Sequence, residues 1–124
     1  MCDVFSWRLE LEQFEPHFGG FGYISIGITD TIDKDIVLLE GYHWVNYEDL
    51  QQARLISNIG SHPYGVKNWN TNDIIELKFH QKDNKLEYLV NGVSQGIACD
   101  NIPKGNYRLV VTVQWTKSKI TILK

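Results

Sequence analysis

Apolar and polar residues alternate with a period of two along most of this chain. Phe5, Trp7, Leu9 and Leu11 alternate with Ser6, Arg8, Glu10 and Glu12, which predicts a strand with one buried and one wet face. After the break at Gly19-Gly20-Phe21-Gly22, Tyr23 to Thr29 is β-branched and apolar and predicts a central strand. Ile36 to Leu39 and Tyr42 to Val45 predict one strand or two short ones around Gly41. Tyr47 to Leu55 fits a short helix or an irregular loop, and Asn58 to Gly65, dense in turn formers, predicts a loop.

The second half alternates more cleanly. Ile75, Leu77 and Phe79 share one face, against Glu76, Lys78 and His80. Lys82-Asp83-Asn84 turns the chain, and Leu86, Tyr88 and Val90 form the next inward face. Asn91-Gly92 then predicts a two-residue hairpin, because a type I′ turn needs positive φ at both central positions. A return strand over Val93 to Ala98, a face of Tyr107, Leu109, Val111 and Val113, and a last strand over Ile120 to Leu123 complete the set. Many short strands with frequent turns predict an all-β, antiparallel two-sheet β-sandwich.

Composition narrows the function class. The 124 residues fit one domain, 1–124, either alone or as a module of a longer protein. With 12 basic and 15 acidic residues and a net charge of −3, the chain lacks the basic footprint of a nucleic-acid binder and has no electrostatic attraction to anionic membranes. No apolar run approaches the ~20 residues that span a bilayer. The start of the chain has no leader pattern, and Cys2 and Cys99 read as free thiols in a reducing compartment. The expectation is therefore an intracellular, cytoplasmic protein.

The run from Asp73 to Ile122 resembles the C-terminal half of a SPRY (B30.2-like) domain. The resemblance rests on Asp73-Ile74-Ile75, on Leu86-Glu87-Tyr88-Leu89-Val90-Asn91-Gly92, and on Gly96-Ile97-Ala98. Tyr107-Arg108-Leu109 through Val113-Gln114-Trp115, and Ile120-Thr121-Ile122, extend it. Trp7-Arg8-Leu9, Ile26-Gly27-Ile28 and Tyr64-Gly65 match the front half more loosely. Asn72 stands where the family often has Gly, and Thr116 where it has the Gly of Trp-Gly. The resemblance implies a concanavalin A-like jelly roll that serves protein–protein interaction through loops at one end, without catalysis.

The residues that could carry other chemistry read more simply as structure. Glu10 and Glu12 share a solvent face and form no glycosidase motif. His17, His43, His62 and His80 are scattered without metal-ligand spacing. Asp30, Asp33 and Asp35 lack the bidentate Glu of a calcium loop. Cys99 has no neighbouring base, and no nucleophile elbow or phosphate loop occurs. No metal or cofactor is expected.

Aromatic residues in loops are the candidates that remain, because Trp, Tyr and Arg dominate binding hot spots. The resemblance assigns Gln114, Trp115 and Thr116 to the surface that receives short peptides. Arg54 and Tyr64, in the long variable segment, join them on residue type alone. The expected partner is a protein or peptide. The alternative is a lectin-like, carbohydrate-binding sandwich, for which His43-Trp44-Val45-Asn46 is the nearest match and has the wrong spacing.

Overall fold

The computed structural model describes residues 4–13, 23–30, 41–47, 53–57, 60–65, 69, 72–105, 107–113 and 119–123. Its chain divides into two compact units, each holding one antiparallel five-stranded sheet of the described residues. The first unit comprises Met1–Glu15, Trp69–Lys104 and Lys117–Lys124, and the second Pro16–Asn68 and Gly105–Thr116.

The sheet of the first unit contains β1 (Val4–Gln13), β6 (Ile74–His80), β7 (Lys85–Val90), β8 (Val93–Cys99) and β10 (Lys119–Leu123), in the order β10-β1-β6-β7-β8. The alternation in sequence becomes alternation across this sheet. Leu9 lies opposite Ile75, Trp7 opposite Leu77, Leu77 opposite Tyr88 and Phe79 opposite Leu86. All of these are buried except Trp7, which is half-buried and stacks on Phe5. The other face is a polar ladder in which Ser6 donates to Glu76 and Lys78 approaches the same carboxylate.

The turn residues explain how the strands are joined. Asn91 and Gly92 have φ of 51° and 84°, and Val90 pairs with Val93, so the Asn-Gly hairpin has the expected two-residue turn. Asn72 has φ of 74°. Asn tolerates this left-handed conformation better than other non-glycine residues, so it can stand in for the Gly that often precedes this strand. Its N–H donates to the Leu11 carbonyl and ties the entry of β6 to β1. β8 is an edge strand whose register against β7 shifts twice, with Gly96 at φ 92° inside the second shift, between Ile97 and Ser94. Such bulges blunt an edge that would otherwise pair with another chain.

The sheet of the second unit contains β2 (Tyr23–Thr29), β3 (Tyr42–Tyr47), β4 (Arg54–Ser57), β5 (Gly60–Pro63) and β9 (Arg108–Val113), in the order β5-β4-β3-β2-β9. β2 is buried on both faces, as its continuous apolar and β-branched sequence predicts: Ile24, Ile26 and Ile28 on one, Ser25, Gly27 and Thr29 on the other. A Cβ on Gly27 would lie 2.0 Å from the Tyr42 carbonyl oxygen and 2.9 Å from Nδ1 of His43. The glycine therefore admits the buried His43 imidazole against β2.

Two expectations change here. Asn58 to Gly65 is not wholly loop, because Gly60–Pro63 forms β5 and pairs with β4 from Ser57↔Gly60 to Arg54↔Pro63. Turn formers are tolerated because β5 is a fully exposed edge strand, and Pro63, with no N–H to donate, sits at its end. Arg54 and Leu55 are strand rather than helix or loop, since Leu55 pairs with Trp44 and is buried. Tyr42, His43, Trp44 and Val45 form a strand, and the last three are buried. The strand predicted over Ile36 to Leu39 lies outside the described residues.

Candidate functional site

The antiparallel order of the second sheet brings distant segments to one end. β9 finishes where β2 begins, with Val113 opposite Ile24. β2 begins where β3 finishes, with Ile24 opposite Asn46. β3 finishes where β4 begins, with Val45 opposite Arg54, and Arg54 lies opposite Pro63, the last residue of β5. Arg54, Pro63, Tyr64 and the exit of the chain from β9 therefore share this end. Three strand spacings of about 4.8 Å separate the start of β4 from the end of β9, or about 14 Å. Gln114, Trp115 and Thr116 directly follow Val113 in sequence and lie outside the described residues.

Arg54 is half-buried and held in place. Its Nε donates to Ser61 Oγ at 2.8 Å and its Nη2 to the Ser61 carbonyl at 3.1 Å. A guanidinium has five N–H donors in a rigid fork, so this clamp fixes its plane and leaves further donors for an acceptor on a ligand. Ser61 and the adjacent His62 are exposed on β5. The sequence alone did not mark Ser61, because only the β4–β5 register brings it to Arg54.

Tyr64 is buried, at 8% exposure. Its N–H donates to the Ala53 carbonyl at 3.2 Å. Its own carbonyl accepts from Trp44 Nε1 at 3.0 Å, and the two rings meet edge to face with centroids 5.3 Å apart. Tyr64 therefore anchors the end of the β4–β5 hairpin to β3 and supports the surface from beneath. Val113, at the β9 side of this end, is partly exposed at 41%.

The remaining polar clusters are arranged for stability. On the first sheet, Glu87 accepts from Ser94 at 2.6 Å and contacts His80 Nε2 at 2.9 Å. Those hydrogen bonds, Ser94 first and His80 second, hold the Glu87 carboxyl below its usual range. Ser94 bonds to the carboxylate rather than to the imidazole, and a carboxylate held below its usual range is a poor base for a hydroxyl. Glu12 is lowered in the same way by Thr121 and Lys119. Cys99 forms no disulfide, and burial, with the Asp100 charge behind it, pushes its thiol up to about 11. Among the described residues no three His, Cys, Asp or Glu side chains gather as a metal site. No helix among them is long and apolar enough to cross a membrane.

No family model matches the chain, and no curated protein sequence matches it. Solved structures do, with 56 matching chains. One is the crystal structure of the SPRY domain of human HERC1, at a TM-score of 0.71 and 13% sequence identity, covering 96% of this chain and 73% of that one. The chain has the fold of a SPRY domain. The match covers 96% of this chain, in agreement with a resemblance read in sequence from Trp7-Arg8-Leu9 to Ile120-Thr121-Ile122.

Proposed function

We propose that residues 1–124 form one non-catalytic SPRY-like interaction domain that binds a protein or peptide at the end of the second sheet. The observation that carries this reading is the register of β5-β4-β3-β2-β9, which gathers Arg54, Tyr64 and the chain leading into Gln114, Trp115 and Thr116. Trp115 is the proposed anchor, because a large ring supplies contact area at little entropic cost. Arg54 is the proposed polar contact, its fork aimed by Ser61 and suited to a carboxylate or carbonyl of the partner. Tyr64, buried against Trp44, holds the end of the β4–β5 hairpin that carries Arg54. The two cysteines are taken as thiols of an intracellular protein, and the partner, from a net charge of −3 without a basic footprint, as other than nucleic acid or membrane.

The test is partner capture from native lysate with quantitative mass spectrometry, using wild type, Trp115→Ala, Arg54→Ala and a control, Lys82→Ala, in the β6–β7 turn of the first unit. Loss of the same captured proteins with Trp115→Ala and Arg54→Ala, but not with Lys82→Ala, is expected. Undiminished capture by a folded Trp115→Ala variant sinks the assignment.

A further inference from the structure

Asn91-Gly92 is the one Asn-Gly pair in the chain. Glycine leaves its amide nitrogen unshielded, which makes such pairs the usual place for an asparagine side chain to react with the backbone. Both residues are exposed, and a Cβ on Gly92 would meet nothing within 4 Å. Yet the Asn91 carboxamide is not free to turn. Its Oδ1 accepts from the Ile74 N–H at 2.9 Å, and its Nδ2 donates to Asp73 Oδ1 at 2.9 Å. Its own N–H donates to the Ile74 carbonyl at 2.9 Å. Three bonds thus pin the tip of the β7–β8 hairpin to the start of β6.

We propose that Asn91 is a deamidation site and that this clamp to Asp73 and Ile74 governs its conversion. In the reaction, the Gly92 nitrogen loses its proton and bonds to Cγ of Asn91. The Cγ–Nδ2 bond breaks, ammonia leaves, and a five-membered succinimide closes. Water then adds to either ring carbonyl and opens the ring to aspartate or isoaspartate. Both clamp bonds of the side chain restrain its rotation, and attack on Cγ needs the carboxamide to turn to the Gly92 nitrogen, so release comes first.

Conversion dismantles the clamp. The Nδ2 donor becomes a carboxylate oxygen facing Asp73 at the distance of the former hydrogen bond, and like charges there repel. The isoaspartyl product also lengthens the backbone within a two-residue turn, which breaks the Val90↔Val93 pairing that starts β8. Among the described residues β8 is an edge strand with Val93 and Ile97 exposed and β7 as its one sheet neighbour, so it is the element that loosens.

The experiment follows conversion of the full chain in mildly alkaline buffer, folded and in denaturant. Peptide mass spectrometry and isoaspartyl-specific methylation report on residue 91. Asn91 converts in denaturant and more slowly in the folded chain. Asp73→Ala, which removes one clamp bond, accelerates the folded chain by about fivefold. Asp73→Asn, which keeps an oxygen acceptor, stays near the wild-type rate. Hydrogen exchange of the β6 amides from Leu77 to Phe79 separates clamp release from general loosening and stays unchanged in Asp73→Ala. No conversion in denaturant overturns the site. Equal rates folded and denatured, acceleration in Asp73→Asn as large as in Asp73→Ala, or acceleration accompanied by faster β6 exchange overturns the clamp.

Discussion

Single residues in this protein act mainly through the space and backbone geometry they permit. Gly27 is the sharpest case. An added methyl would press on the Tyr42 carbonyl, the His43 Cα and the His43 ring, and neither backbone atom can yield without parting β2 from β3. Gly27→Ala is expected to cost about 3 kcal/mol, and thermal unfolding should show a midpoint lowered by roughly 10 °C or more. An unchanged midpoint would contradict the packing described. Cys99 acts through its protonation state. A thiol pushed from 9.0 to about 11 holds on the order of a hundredfold less thiolate at neutral pH than an ordinary one. Iodoacetamide should alkylate Cys99 far more slowly in the folded chain than in urea, as mass spectrometry of the peptide containing Cys99 will report.

The β4–β5 hairpin is where element-scale structure meets the proposed function. Its sequence, with Gly60, Pro63 and Gly65 close together, argues against a strand, and pairing with β4 overrides that local preference. The Arg54–Ser61 clamp and the Trp44–Tyr64 contact supply the tertiary hold. Ser61→Ala removes one clamp bond, worth about 1 kcal/mol. It should raise hydrogen exchange at the Tyr64 amide, which donates to Ala53 at the open end of the hairpin, while β2 amides stay protected. It should also weaken partner capture in the same direction as Arg54→Ala. If the Tyr64 amide exchanges as in wild type, the clamp does not stiffen the hairpin.

For the molecule as a whole, the shifted groups define a pH window. Glu12 and Glu87 titrate below their ordinary 4.5 because the folded chain offers them donors: Thr121 and Lys119 for Glu12, Ser94 and His80 for Glu87. Their contribution is complete above the unfolded range and is lost as pH falls through the folded values. Cys99 and Tyr107, raised chiefly by burial, contribute below their unfolded values of 9.0 and 10.0, and that contribution is lost as pH rises. Urea midpoints should be flat from about pH 6 to 8 and fall on both sides. The gap between wild type and Glu87→Gln should narrow on acidification, and a constant gap would remove Glu87 from the acid limb.

Local chemistry was enough to make the strands legible. Period-two alternation marks which face of β1, β6 and β7 is buried because a pleated strand points successive side chains to opposite sides, and Asn91-Gly92 marks its turn because few residues accept positive φ twice in succession. The same reasoning could not find β5, whose residues pair because β4 lies beside them. Nor could it distinguish Tyr64, a buried support, from the exposed aromatic its loop-like setting implies. The gathering of Arg54, Tyr64 and the exit of β9 at one end likewise depends on strand order, which joins residues far apart in the chain. Sequence alone determined the alternating strands and the Asn91-Gly92 hairpin, because each depends on neighbours within a few residues, and the order of such motifs along the chain carried the SPRY resemblance. Tertiary structure decided which side chains meet, because register and strand order are set by long-range pairing.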